Sequence, residues 1–171
     1  MGRACAMRFL GTGSLAVLEH DDLAVMADVH NTPREKAGGV WQAALHALAA
    51  SALAYLESGL AVLAIVNYGR ERRKLLEHLL EPAPVRQVVV LPPWELNRAW
   101  TVERIHAANP PEGQHIGWAA HQRFYDDLVA MAGDGMFDAV INPAQLDLDE
   151  MVDLLARQLG LAASHWRSSP E

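Results

Sequence analysis

Four short apolar runs constrain the fold of this chain more than any other feature of its sequence. Each run ends abruptly in polar or turn residues, and helix-like stretches separate one run from the next. Continuous apolar runs of this length are typical of strands that are buried on both faces of a parallel sheet. The predicted strands are Leu15–Leu18, Ala61–Val66, Val88–Leu91 and Ala139–Ile141.

Stretches between and after these runs have the spacing of amphipathic helices. In the clearest one, apolar residues recur at helical intervals, and Gly59 offers a C-cap just after them. These apolar residues are Trp41, Leu45, Leu48, Ala52 and Leu56. The alternation predicts an α/β fold, in which helices cover both faces of a mostly parallel sheet in three layers. The predicted helices are Val40–Ser58, Glu71–Leu80, Glu95–Ala108, His115–Ala132 and Asp147–Gln158.

Length and composition narrow the class of protein. A chain of 171 residues fits a single domain, with the Pro- and Gly-rich stretch Asn109–Gln114 as a loop inside it. A net charge of −7 argues against broad nucleic-acid binding. Cys5 is the only cysteine, so no intrachain disulfide can form. No apolar run is judged to reach the roughly 18–20 residues of a membrane span, and a cytoplasmic protein is expected.

The order and spacing of these segments, from about Leu15 to Leu159, resemble a P-loop kinase of the small-molecule or nucleotide type. The chloramphenicol-phosphotransferase-like and AAA-type ATP-binding kinases are the most similar groups. Leu15–Leu23 resembles the second strand with its acidic substrate motif, and LAVLAIVN after Gly59 resembles the third strand. VVVLPPWELNRAWTVER resembles the fourth strand and the lid, which would occupy about residues 95–132. FDAVINPAQLDLDEMVDLLARQL resembles the fifth strand and the closing helix.

The chain departs from this family at its beginning. No G-x-x-x-x-G-K-[ST] phosphate loop occurs, and GTGS at Gly11–Ser14 has no lysine and no room for a helix before Leu15. Residues 1–14 are therefore an atypical N-terminal segment, and Met7–Leu18 fits a hairpin better. The missing strand belongs in the middle of the family's sheet, so a central gap is expected. Three explanations stay open: the N-terminal segment fills the gap, the strands close up, or the reading frame starts upstream.

The resemblance implies roles for polar residues that follow the predicted strands. Asp21 or Asp22 would accept a proton from a substrate hydroxyl or orient Mg²⁺ through water, and otherwise caps the next turn. Arg34 would contact substrate, and Asn67 would stand where the kinases often carry an acid that supports Mg²⁺. The alternative reading of Arg34 is a solvated charge at the start of a helix. Asn67 keeps an acceptor oxygen but lacks the negative charge of that acid, which weakens a metal role.

The later segments supply the remaining candidates. The resemblance makes Arg98 and Arg104 phosphate-binding residues of the lid, with surface salt bridging as the alternative. It places Asn142 and Pro143 beside the adenine, although a plain turn fits equally well. The basic run Arg70–Lys74 is interpreted as a solvated face. His20 is interpreted as a packed or surface histidine, and no dedicated metal site is expected because no zinc-ligand spacing occurs.

The resemblance therefore implies a protein related to ATP-dependent phosphotransferases that act on a small-molecule hydroxyl, with ATP and Mg²⁺ as cofactors. Transfer should be impaired because the phosphate loop is missing. The alternative is a non-catalytic protein that binds a small anion or regulates a partner. We expect the partner to be a small molecule or a nucleotide, and we expect no binding to nucleic acid or to a membrane. A homodimer is conceivable, because an open sheet could recruit a strand from a second copy.

Overall fold

All four predicted strands form, and each matches its expected bounds to within a residue. The computed structural model describes residues 15–26, 33–67, 69–81, 83–107 and 117–160. Along these ranges the elements are β1 (Leu15–Glu19), α1 (His20–Met26), α2 (Arg34–Glu57), β2 (Ala61–Ile65), α3 (Arg70–Leu79), β3 (Val88–Val90), α4 (Trp94–Ala107), α5 (Trp118–Gly133), β4 (Ala139–Ile141) and α6 (Leu148–Leu159). The α/β class is confirmed, and both strand pairings are parallel.

Three sequence interpretations fall on segments outside the described residues. These are the part of the Met7–Leu18 hairpin that precedes Leu15, the loop Asn109–Gln114, and the position of Cys5. The helices α3 to α6 follow the predicted stretches, and α2 begins at Arg34 rather than at the predicted Val40. Helix α1 was not predicted. The described chain divides into two compact units, the first within residues 1–85 and the second formed by residues 86–159.

The first unit is built on the parallel pair β1–β2. Leu15 lies opposite Ala61 and Glu19 opposite Ile65, so the two strands begin and end level with each other. Helices α2 and α3 pack their apolar residues against Leu18 and Val62 of this pair. The buried core residues are Leu45, Leu48, Ala49, Ala52, Leu76 and Leu80.

The long helix α2 is the crossover that allows β1 and β2 to run parallel. The helix ends at Glu57 with Ser58 as its C-cap residue. Gly59, predicted as the C-cap, follows with φ +82° and donates its N–H to the carbonyl of Leu56. Leu56 itself was predicted on the apolar face, but it is 38% exposed because it lies on the final turn, past the core cluster.

The expectation that no segment is long and apolar enough to cross a membrane is wrong for this helix. Lys36–Glu57 meets that criterion by length and composition, with a mean hydropathy of 1.2. Core helices of globular proteins, most of whose residues are buried, meet the same criterion. In α2, 28% of this window is buried, and Leu45 and Leu48 contribute to the core of the first unit.

The second unit contains the parallel pair β3–β4, in which Val88 lies opposite Ala139 and Val90 opposite Ile141. The pairing continues past the strand, because the Leu91 N–H donates to the carbonyl of Ile141 at 2.8 Å. At the other end, Asp138 accepts a hydrogen bond of 2.6 Å from the backbone of Gln87. The buried apolar residues of this unit are Val89, Met131, Ile141, Met151, Val152 and Ala156.

A reciprocal pair of side chain-to-backbone hydrogen bonds starts α6. The carboxylate of Asp147 accepts from the Glu150 N–H at 2.8 Å, and the carboxylate of Glu150 accepts from the Asp147 N–H at 3.0 Å. This capping box satisfies two backbone donors, and it places negative charge at the positive end of the helix dipole.

Asp147→Ala should lower the free energy of unfolding by about 1 kcal/mol, because the first turn of α6 loses its cap. Chemical denaturation of Asp147→Ala, Glu150→Ala and the double variant measures the effect. The double variant should lose less than the sum of the single losses, because the two bonds form one motif. Strict additivity would contradict the capping box.

Candidate functional site

The carboxyl ends of β1 and β2 form one edge of the first unit. Glu19 and Ile65 are opposite each other, so Asp21, Asp22 and Asn67 all follow at that edge within three residues of the strand ends. In parallel sheets this is the edge where ligands bind. The structure corrects one detail: Asp21 and Asp22 do not end the strand but form the exposed first turn of α1.

His20 is the buried residue at this edge. Its side chain is fully enclosed, and its Nε2 lies 3.1 Å from the carbonyl oxygen of Trp41. A carbonyl can only accept, so Nε2 must be the donor nitrogen in this bond. Nδ1 is buried and has no hydrogen-bond partner among the described residues. Oδ1 of Asp21 lies 3.8 Å from this nitrogen.

An aromatic contact joins this histidine to an arginine of α3. The ring centroids of His20 and Trp41 are 5.4 Å apart, and the guanidinium carbon of Arg72 lies 5.8 Å from the centroid of Trp41. Arg72 is therefore not part of a solvated face as interpreted from sequence, whereas Lys74 is exposed. Stacking on an aromatic face restrains a guanidinium while its N–H groups can still bind an anion.

The start of α3 adds a second electropositive feature. Gly69 occupies the N-cap in an extended conformation and, having no side chain, supplies no capping bond to the first turn. The first N–H groups of a helix point outward and carry partial positive charge. Arg72 and the acidic Glu71 both lie in this first turn, so an anion at this end would meet backbone donors and a side-chain cation, opposed by one carboxylate.

The predicted residues of the second unit have local roles. Asn142 follows β4, and its Oδ1 accepts from the Ala144 N–H at 3.0 Å in a turn. Pro143 is buried, and its carbonyl accepts from the Leu146 N–H at 3.3 Å. The turn interpretation is thus confirmed, while contact with adenine stays a prediction. The side chains of Arg34 and Arg104 lie outside the described residues.

Arg98 belongs to an aromatic cluster between α4 and α5. Its guanidinium carbon lies 5.2 Å from the ring centroid of Trp118, which meets Trp94 edge-on at 6.5 Å. His121 and Tyr125 pack against Trp94 at 5.6 and 5.2 Å. An open groove of about 710 Å³ runs along α4 beside this cluster. Its lining residues are Trp94, Glu95, Arg98, Ala99, Val102 and Glu103.

Polar contacts hold the cluster in position. Tyr125 donates from its hydroxyl to the carbonyl of Pro92 at 2.9 Å, which ties α5 to the end of β3. The hydroxyl of Thr101 donates to the carbonyl of Asn97 at 2.9 Å. Nε2 of His121 lies 3.5 Å from both the Asn97 amide and the Thr101 hydroxyl.

The structure therefore assembles two sets of candidates, one in each unit. Asp21, Asp22 and Asn67 share the edge of the first unit, whereas Arg98, Asn142 and Pro143 belong to the second. Within the described ranges, no group of three or more His, Cys, Asp or Glu residues could hold a metal ion.

Sequence reasoning missed the two residues that link the helices of the first unit, Trp41 as a site residue and Arg72 as its partner. The interpretation of His20 as a packed histidine is confirmed, because its side chain is fully buried. One signal was present: His20, Leu23 and Ala24 have the i, i+3, i+4 spacing of a buried helix face.

The chain matches no protein-family model, and it shows no significant similarity to a curated protein or to a solved structure.

Tyr125 should ionise later than an exposed tyrosine. Burial raises the pKa of its phenol above 10.0, and the carboxylates of Glu95 and Asp126 raise it further. Because the folded state holds this proton more tightly, its contribution to stability is complete below pH 10 and disappears as the pH rises through the folded pKa. Ultraviolet titration of the three tyrosines should show a late phase that Tyr125→Phe removes. If the substitution removed amplitude from the earlier part of the titration curve instead, the result would count against the cluster geometry.

Proposed function

We propose that this chain is a P-loop-kinase-like protein that binds a small phosphorylated ligand and transfers phosphate slowly or not at all. Strand pairing supports the lineage. A sheet of that family without its middle strand would keep two parallel strand pairs, and β1–β2 and β3–β4 are each paired in parallel. The order of strands and helices along the chain supports it as well.

The catalytic half of this proposal assigns familiar roles to the candidate residues. ATP with Mg²⁺ would donate its γ-phosphoryl group to a substrate hydroxyl, and Asp21 or Asp22 would accept the proton. Arg98 or Arg104 would stabilise the developing charge, Arg34 and Asn67 would contact substrate, and Asn142 and Pro143 would flank adenine. That chemistry depends on positioning and electrostatics, and the sequence has neither the backbone cradle nor its lysine.

Incubation of the purified chain with Mg²⁺, radiolabelled ATP and a panel of small hydroxyl compounds should give transfer and hydrolysis no faster than a protein-free control. Asp22→Asn should give the same background rate, because no productive triphosphate site exists for it to disable. Turnover that the unsubstituted chain shows and Asp22→Asn loses would overturn the expected impairment.

The proposal has two parts, ligand binding and phosphate transfer. The geometry supports ligand binding best, at the carboxyl edge of the first unit. Ligand binding rests on a single observation, which is the position of Arg72 over the ring of Trp41. Trp41 in turn packs against His20, the residue that directly follows β1. Arg72 lies in the first turn of α3, whose N-cap residue supplies no side-chain cap. A phosphate group would be matched there by N–H donors and by a planar guanidinium.

A non-catalytic anion-binding or regulatory protein is the alternative function. It requires the same contacts but no ATP affinity. Binding of ATP at micromolar strength would favour the kinase relationship, whereas binding of inorganic phosphate or a sugar phosphate without ATP would favour the alternative.

Arg72→Ala should weaken the binding of inorganic phosphate or ATP by roughly tenfold or more, because a hydrogen bond to a charged group contributes about 1.5–3 kcal/mol. Isothermal calorimetry at low salt measures the loss. Lys74→Ala is the matched control: it removes the same charge from an exposed position of the same helix, and affinity should change less than about twofold. Equal losses in both variants would show nonspecific attraction and refute the site.

A further inference from the structure

We propose that His20 and Asp21 form a two-ligand site for a transition-metal ion such as Zn²⁺ or Co²⁺. The inference is independent of anion binding and starts from Nδ1 of His20, a buried nitrogen without a hydrogen-bond partner in the described part of the chain. Such a buried polar atom costs free energy unless a proton, a water or an ion satisfies it.

The hydrogen bond on the other side of the ring determines what Nδ1 can do. The Trp41 carbonyl accepts from Nε2, so neutral His20 carries its hydrogen there and keeps a lone pair on Nδ1. Histidines that bind metals have this arrangement in most proteins: one nitrogen donates to a carbonyl or carboxylate, which orients the ring, and the other nitrogen binds the metal.

The neighbouring carboxylate has the separation that a shared metal requires. Nitrogen and oxygen ligands at about 2.0–2.2 Å from a tetrahedral Zn²⁺ lie about 3.4 Å apart. Nδ1 of His20 and Oδ1 of Asp21 are 3.8 Å apart, and the Asp21 side chain is 54% exposed, so a small rotation closes the difference. When His20 is neutral, its Nδ1 lone pair and the carboxylate oxygen face each other unfavourably unless a cation lies between them.

The donor set selects the class of metal. An imidazole nitrogen with one carboxylate oxygen suits Zn²⁺, Co²⁺ or Ni²⁺, whereas Mg²⁺ and Ca²⁺ prefer oxygen ligands alone. Two protein ligands leave the remaining positions to water, so the ion is exchangeable. The exposed Asp21 carboxylate provides the entry side, because the histidine itself is enclosed.

Titration of the full chain with Co²⁺ at pH 7.5, followed by visible d–d absorption and calorimetry, tests the site. One ion should bind, Zn²⁺ should displace it, and Asp21→Asn should weaken binding at least tenfold. Asp21→Asn changes an exposed side chain, so the fold is retained, and circular dichroism verifies this. Zn²⁺ should also raise the melting temperature of the unsubstituted chain more than that of Asp21→Asn.

The exposed pair His78 and Glu81 of the same unit, with Nδ1 and Oε2 3.9 Å apart, provides the matched control. His78→Ala should leave the Co²⁺ affinity and spectrum unchanged, because both side chains of that pair are about three-quarters exposed and can hold an ion only loosely. Binding that survives Asp21→Asn, binding lost in His78→Ala, or no binding at all would each overturn the proposal.

Discussion

The parallel pairing of β1 with β2 is the constraint on which the rest of the first unit depends. Parallel neighbours need a long crossover, and α2 supplies it while burying its apolar face against both strands. Since the strands end level with each other, the residues that follow them meet at one edge. A shift in this register would separate Asp21 from Asn67 and move the start of α3 away from the start of α1.

Burial gives this edge its chemical character. His20 is enclosed and bound to the carbonyl of Trp41, so the position of its ring is determined by α2 rather than by its own short helix. Trp41 then supports Arg72, and the carboxylate of Asp21 lies 3.8 Å from the imidazole of His20. An exposed lysine or aspartate without such support would lose side-chain conformational entropy when it forms a ligand contact.

The strands and the five longer helices could be predicted because each has a continuous apolar run or a repeated apolar face. The helix α1 was missed because its seven residues contain only one i, i+3, i+4 repeat, and because Asp21 and Asp22 resembled the polar end of a strand. The contact His20–Trp41 joins residues 21 positions apart, and the contact Trp41–Arg72 joins residues 31 positions apart. No local sequence pattern can indicate contacts over such separations. The division into two units is likewise a property of long-range packing.

Nuclear magnetic resonance of the ¹⁵N-labelled chain during a titration with inorganic phosphate tests the central claim most directly, because it locates the bound anion without a substitution. The account predicts that the largest amide shifts fall together on Gly69, Arg70 and Glu71 at the start of α3, with smaller shifts at Asp21 and Asn67. Shifts confined to other parts of the chain, or uniform weak shifts at every basic residue, would contradict a ligand site at the carboxyl edge of β1 and β2.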